Sequence, residues 1–419
     1  MTDPAVPSRL LAAGPCPDLD QHLAAYGPPP FAGGADTLIA AVEQSGLTGR
    51  GGAGFPAGRK MRAVAQAGRR GGSLRGQAAP VVVGNGAESE PASRKDRLLL
   101  SQAPHLVLDG IVLAAEAVGA TSAYLCVHSD ARRLRDAVTS RERAGLNRIP
   151  VQVAEVPAGY VASQETALIG MLNGGPAVPA FVPPRPFERG VRRRPTLVHN
   201  VETLASIALI ARYGPGWFRS AGTTTAPGTA LVTVSGVTRP GVYEIPLGTP
   251  VGRVLDLAGG PAEPAQAVLA GGYFGGWLPL PQAAGTPLTD QDLRAAGGAF
   301  GPGVLAVLPQ SACPLAETAR VTAYLASQNA GQCGPCTNGL PALARALDQV
   351  AFGATDGDLL RWTGDLLALV AGRGACHLPD GTAALVASAL TVFDADLRSH
   401  AARGPCGRAV RPPVPGVAG

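Results

Sequence analysis

The chain has 419 residues, 46% of them hydrophobic and 16% charged, so it reads as globular and long enough for two or three domains. Its net charge of +5 is spread along the sequence, and without basic residues interleaved with aromatics a nucleic-acid footprint is not expected. The 56 glycines and 39 prolines follow no fixed period, which excludes collagen-like and solenoid architectures.

Residues 1–35 are rich in proline and glycine, with one helical stretch (DLDQHLAAYG), and read as an N-terminal surface arm. The first residues lack a charged segment followed by an apolar one, so no signal peptide is expected. Over 36–222 helical and strand patterns alternate. ADTLIAAVEQSG is a helix ending at Gly46, APVVVGN (79–85) a strand, LVLDGIVLAAEAVGA (106–120) a buried helix too short to span a bilayer, and SAYLCVHS and VQVAEVP further strands. This alternation predicts an α/β domain with a largely parallel sheet. After the linker AGTTTAPG, residues 228–310 read as a hairpin, a short helix and more strand, a small α+β module. Residues 315–400 are mostly helical, and 401–419 read as a disordered tail.

Five segments carry chemistry. In GLTGRGGAGFPAGRK (46–60) glycines let backbone N–H groups approach a phosphate or a flat ring, and Arg50, Arg59 and Lys60 add positive charge. It is neither a Walker loop nor a G-x-G-x-x-G after a strand, so a flexible turn is an equal reading. In VVVGNGAESEPASRKDRLLL (81–100) a strand ends at Asn85, and Glu88 and Glu90 precede a helix carrying Lys95 and Asp96. Strand ends of this kind bind ligands, although acids before a helix also suit its dipole. Of 35 basic residues only Lys60 and Lys95 are lysines, which hints at places that need a compact point charge. GYVASQETALIGMLNGG (159–175) and RRRPTLVHNVETLASI (192–207) each lead a polar knot into an apolar helix, the pattern of an N-cap. Finally, SQNAGQCGPCTNGLPALARAL (327–347) holds Cys333 and Cys336 in a C-x-x-C, with Cys376 downstream. Seven cysteines in a chain without an export signal point to reduced thiols, a cytoplasmic setting, and an iron–sulfur cluster, zinc or a redox dithiol.

In this order the five segments resemble the NADH- and flavin-binding subunit of respiratory complex I, together with the flavin subunits of NAD-linked hydrogenases and formate dehydrogenases. The resemblance runs from about residue 36 to 395. It implies a Rossmann-like FMN-binding domain over 36–222, a soluble-ligand-binding β-grasp module with its linker over 228–310, and a helical bundle holding a [4Fe–4S] cluster over 315–400. The activity implied is hydride transfer from an NAD(P)H-class donor to FMN, then electron transfer to a ferredoxin-like or other redox partner subunit. No direct membrane span is implied, only docking to a membrane complex. By resemblance Gly49, Arg50, Gly51, Gly52, Gly54, Phe55 and Lys60 form the FMN cradle. Asn85, Tyr160 and Asn200 contact the cofactor, Glu90 and Glu165 are the catalytic acids on the hydride-donor side, and Cys333, Cys336 and Cys376 ligate the cluster.

The chain departs from that family at Ala87 (where the family has Asp), at Ser163 and Gln164 (Gly and Glu), at His199 (Asn) and at Ala63 (an aromatic). Val182 and Arg185 replace the cation and ring of a Lys-Pro-Pro-Phe segment, and Ala330 replaces the first cluster cysteine. Three thiols leave a three-iron or labile cluster, a non-cysteine fourth ligand, or no cluster as outcomes. Two other readings therefore stay open: a non-catalytic assembly or ligand-binding paralogue, and zinc held by the three cysteines with His400 or Cys406.

Overall fold

The computed structural model describes residues 8–30, 34–74, 79–353 and 356–408. It divides into two units, the first formed by Met1–Ser89, Arg94–Leu231 and Glu244–Gly248, the second by Glu90–Ser93, Val232–Tyr243 and Thr249–Gly419.

The first unit runs α1 (Leu19–Tyr26), α2 (Ala35–Ser45), α3 (Ala57–Leu74), β1 (Val81–Gly86), α4 (Lys95–Gln102), α5 (Pro104–Val118), β2 (Ser122–Val127), α6 (Ala131–Arg143), β3 (Val151–Glu155), α7 (Glu165–Leu172), β4 (Thr196–Asn200) and α8 (Val201–Arg219). Its four strands form a wholly parallel sheet in the order β3-β2-β1-β4. The chain winds outward from β1 through β2 to β3 and then returns to the opposite side of β1. The order therefore reverses between β1 and β4, the place where open α/β sheets bind ligands beyond their strand ends. β4 is absent from the sequence reading, because its five residues follow a basic run and merge into the capped helix behind them.

β1 reads VVVGNG, four fully buried residues and then the polar end that reaches the site. α5 packs against α8 with backbones nearly touching: a Cβ at Gly110 would lie 2.0 Å from the Leu204 carbonyl oxygen, so only glycine allows the approach. α5 is almost entirely buried, and its Asp109 is met there by His22 (2.9 Å), Arg141 (2.6 Å) and Arg212 (2.5 Å). α8 kinks at Gly214-Pro215, where Gly214 takes φ 85° and proline removes a helical N–H.

The residues expected as a surface arm are in part tied down. The Glu244 carboxylate accepts from the Ser8 hydroxyl (2.7 Å) and from the N–H groups of Arg9, Leu10 and Leu11 (3.0, 2.9 and 3.2 Å), and Arg9 and Leu10 are buried. Residues 1–7 and 31–33 of that arm lie outside the described residues.

After α8 come β5 (Thr229–Ser235), β6 (Gly241–Pro246), α9 (Val251–Leu257), β7 (Ala265–Ala270), β8 (Gly276–Pro279), α10 (Asp290–Ala295) and β9 (Val304–Pro309). They build a five-stranded mixed sheet in the order β6-β5-β9-β7-β8, with β9 parallel to β5 and antiparallel to β7. Helices α11 (Pro314–Ser327), α12 (Leu340–Phe352), α13 (Gly357–Val370), α14 (Leu378–Val392) and α15 (Asp394–Arg403) complete the second unit. α15 carries helix three residues into the stretch expected as a disordered tail, and 409–419 lie outside the described residues. The whole is a mixed α/β protein with a parallel sheet and flanking helices. Among the described residues no single helix is long and apolar enough to cross a membrane.

Candidate functional site

β1 and β4 bring two asparagines into register at the carboxyl end of the sheet, Asn85 opposite Asn200, at the reversal of strand order. The Asn85 Nδ2 donates to the Ser163 carbonyl (2.9 Å), and its Oδ1 accepts from the Ala87 N–H (3.2 Å). Asn200 caps α8, accepting from the Glu202 N–H (3.0 Å), and donates through Nδ2 to the Asn85 carbonyl (3.3 Å) and to Asp96 (2.6 Å). The N-cap reading of the sequence therefore holds for Asn200, and the same residue also sits at the switch point.

Lys95 is the anchor beneath this pair. It is 2% exposed, with its ammonium 2.6 Å from Asp96, 2.9 Å from Glu202 and 3.2 Å from the Asn200 Oδ1. Burial pulls its pKa down, but Asp96, Glu202 and Glu88 push it up harder, so the net shift is upward and the cation persists. Glu88 accepts from the N–H groups of Asp96 and Arg97 (3.2 and 3.3 Å), which makes it a cap of α4.

The glycine-rich loop lies on the same side. A bridge between Thr48 and Pro56 closes it, with the Gly49 N–H donating to the Phe55 carbonyl at 2.9 Å. Gly52 and Gly54 take φ of 104° and 63°, and a Cβ on Gly51 would come 3.3 Å from the Asn200 Cβ. A side chain at these positions would fill or strain the cradle. Arg50 does not supply the expected free charge. Its guanidinium is buried, bonded to Thr48 (2.8 Å) and to the Thr229 carbonyl (3.1 Å), while its N–H donates to Thr203 (2.9 Å). It fastens the loop to α8 and β5. Arg59 is exposed, its guanidinium 5.9 Å from the centre of the half-exposed Phe55 ring.

Lys60, on the first turn of α3, pairs with Glu165 at 2.7 Å. Glu165 opens α7, where the Gln164 side chain caps by accepting from the N–H groups of Thr166 and Ala167 (2.7 and 3.2 Å). Thr166 in turn accepts from the Ala180 N–H (2.8 Å), which fixes the start of the 181–185 segment beside that helix end. Phe181 follows directly and is 64% exposed. This aromatic stands one residue before the expected Lys-Pro-Pro-Phe match, so the motif passes over it. Ser89 and Ser163 hydroxyls meet at 2.5 Å, and Tyr160 is buried. His199 is buried, and its Nε2 has no hydrogen-bond partner among the described residues. Desolvation first, and the nearby Lys60 second, lower its pKa to about 3, so it is neutral.

Glu90, expected as a catalytic acid, is committed to backbone. It belongs to the second unit, where its Oε1 accepts from the Ala92 N–H (3.1 Å) and its Oε2 from the Tyr273 N–H (2.9 Å).

The second unit gathers the thiols. Cys333 precedes a turn of π-helix at Pro335–Gly339 that carries Cys336, and Cys376 stands just before α14. Burial foremost, with Cys333 and Cys376 adding repulsion, pushes the Cys336 thiol up to about 12. For Cys333, burial pushes the pKa up, but hydrogen bonds from Ala375 and Cys336 outweigh it and the net shift is downward. Position 330 carries a methyl group, so this set offers three thiols where a four-cysteine cluster uses four. His400 and Cys406, considered as partners of these thiols, gather instead with Cys313.

Family models fall on the same segments: the Nuo51 FMN-binding domain on residues 42–209, the SLBB domain on 231–273 and the NADH-ubiquinone oxidoreductase-F iron-sulfur binding region on 316–400. They place the chain in the class of flavin and iron–sulfur redox subunits. The NADH-quinone oxidoreductase-F protein of Mycobacterium tuberculosis (strain ATCC 25618 / H37Rv) is 34% identical over 396 residues, covering 88% of this chain and 86% of the relative. That of Streptomyces coelicolor is 33% identical over 382 residues, covering 87% and 83%. A chain of an NAD+-reducing [NiFe]-hydrogenase in the H2-reduced state superposes with a TM-score of 0.80 at 30% identity over 88% of this chain, which spans 63% of the hydrogenase chain. The chain belongs to the NADH-quinone oxidoreductase-F family.

Proposed function

We propose that the chain is an FMN-carrying electron-transfer subunit that takes a hydride from an NAD(P)H-class donor and delivers electrons to an iron–sulfur or ferredoxin-like partner subunit at the cytoplasmic side. One observation supports this most: the paired Asn85 and Asn200 at the sheet's switch point, with Gly51 of the glycine loop against Asn200. In this reading the parallel sheet is the core of a Rossmann-like domain, the mixed sheet belongs to a β-grasp module and α11–α15 form the helical bundle.

Bound FMN would supply a ring that accepts two electrons and releases them singly. The chain supplies position and field. Gly51, Gly52 and Gly54 open backbone toward the cofactor beside Phe55, Gly49 belongs to the cradle by closing it onto the Phe55 carbonyl, and Lys60 provides a point charge held in place by Glu165. Asn85 and Asn200 present side-chain amides, and Lys95 keeps Asn200 oriented from below. Tyr160 belongs to the wall near the Ser163 turn. Glu165 is the acid on the hydride-donor side, whereas Glu90 acts by fixing its own turn. Phe181 is the aromatic offered to the adenine end of the donor, in place of the rings missing at Ala63 and Arg185. Cys333, Cys336 and Cys376 would hold the electron exit at three corners.

The losses at Ala330, Val182 and Arg185 favour a second reading, a non-catalytic assembly paralogue. Anaerobic purification followed by a visible spectrum separates the two. The proposal expects flavin absorbance that bleaches on addition of NADH or NADPH. A colourless protein that fails to take up added FMN would remove it.

A further inference from the structure

Three residues that play no part in the flavin site or the Cys333 set converge in the second unit. Cys313 is the N-cap of α11, His400 lies near the end of α15, and Cys406 stands in the irregular segment that follows. Their ligand atoms lie within 4.8 Å of one another, and the Cys313 sulfur is 3.7 Å from the His400 Nε2. A tetrahedral zinc with bonds of about 2.3 Å to sulfur and 2.0–2.1 Å to nitrogen separates such a pair by about 3.6 Å. The Cys313–His400 pair is thus already spaced for an ion, with the Cys406 sulfur within 4.8 Å of both.

The surroundings prepare each ligand. His400 is 1% exposed, and its Nδ1 lies 3.2 Å from the Val350 carbonyl. A carbonyl only accepts, so Nδ1 carries the proton and the Nε2 lone pair faces the two sulfurs, the arrangement found around metal-bound histidines. The Cys406 N–H now takes that lone pair at 3.2 Å and would give it up to an ion. Cys313 is buried and stands at the N-cap of the 14-residue α11, so its sulfur has a fixed place beside His400. The Arg408 Nε donates to the Cys406 sulfur at 3.4 Å and orients it.

We propose that Cys313, His400 and Cys406 form a site for a thiophilic divalent cation of the Zn2+ class, with the fourth position left to water. Two thiolates and a neutral imidazole balance the ion's charge, and two thiol protons leave to solvent on binding. The ion would clip the segment after α15 onto the start of α11, so its role is structural. This site is independent of any flavin or iron–sulfur chemistry.

The test uses the full chain with Cys333→Ser and Cys336→Ser, so that the other thiol set cannot hold zinc. After chelator treatment under reducing conditions the protein is loaded with zinc chloride, passed through gel filtration and assayed by elemental analysis. About one zinc per chain is expected, falling below about a tenth when Cys406→Ser is added. Cys406 is exposed, so its substitution leaves the fold intact, which circular dichroism checks directly. Zinc should also raise the melting temperature of the background protein and not that of the Cys406→Ser variant. Absence of bound zinc, or zinc unchanged by Cys406→Ser, overturns the site. A Cys313–Cys406 disulfide found by mass spectrometry in protein isolated without added reductant overturns it as well.

Discussion

The strand ends of the first unit and the helices of the second hold their chemistry in opposite ways. At the strand ends the charged groups are over-determined: Lys95 meets Asp96, Glu202 and Asn200 at once, and Arg50 ties loop, helix and strand together. The family departures there (Ala87, Ser163, Gln164, His199) leave that frame standing. In the helices a single position, Ala330, leaves three thiols in a set that takes four in a [4Fe–4S] cluster. A network of mutual hydrogen bonds tolerates replacement at its rim, whereas a ligand set is counted in whole ligands.

That contrast can be broken at either end. The largest effect is expected from Lys95→Met, which takes the nearest cation from two buried carboxylates and leaves Asp96 with the Asn200 amide and Glu202 with Arg50 at 3.8 Å. Removing one partner of such a set costs about 3–5 kcal/mol, so urea unfolding should show a loss of that order together with loss of bound flavin. A variant as stable as the parent would mean that the frame is not held by charge. Ala330→Cys probes the other side. Anaerobic reconstitution should bring iron and sulfide to about four each per chain, above the parent protein, and unchanged iron would show that the missing thiol is not what limits the cluster.

The smallest effect concerns His199. Its folded pKa of about 3 lies below the ordinary value of about 6.5, so between these limits the unfolded chain binds a proton that the folded one refuses. Stability from this group is complete above about pH 6.5 and falls as pH drops, by up to about 1.4 kcal/mol per pH unit. His105, lowered to about 4 by burial first and then by Arg141, adds a second contribution of the same sign. His199→Asn should flatten the decline between pH 6 and pH 4 by up to one proton in urea titrations. An identical slope in the variant would place the acid sensitivity elsewhere.

Much of the frame is legible in the sequence because it is local. The strands at 81, 122 and 151 declare themselves by apolar runs, Gly46 by its helix-ending position, and the two N-caps at Gln164 and Asn200 by polar residues before apolar helices. The two lysines stand out by composition alone, and both pair with acids at the candidate site. What stays hidden depends on distance along the chain. Nothing near Arg50 reveals that its partner is the Thr229 carbonyl, nor does Cys313 advertise a histidine 87 residues away. The bond from the Tyr273 N–H to Glu90 is hidden in the same way, because a backbone group 183 residues away is one that no side-chain motif encodes.

The scarcity of lysine has a practical corollary. With Lys95 sealed at 2% side-chain exposure and Lys60 at 23%, an amine-directed reagent meets one reachable side-chain amine in the folded protein. Labelling chemistry aimed at lysine therefore acts as an address for the mouth of the glycine loop, and occupancy of that loop can be followed by how slowly a single residue reacts.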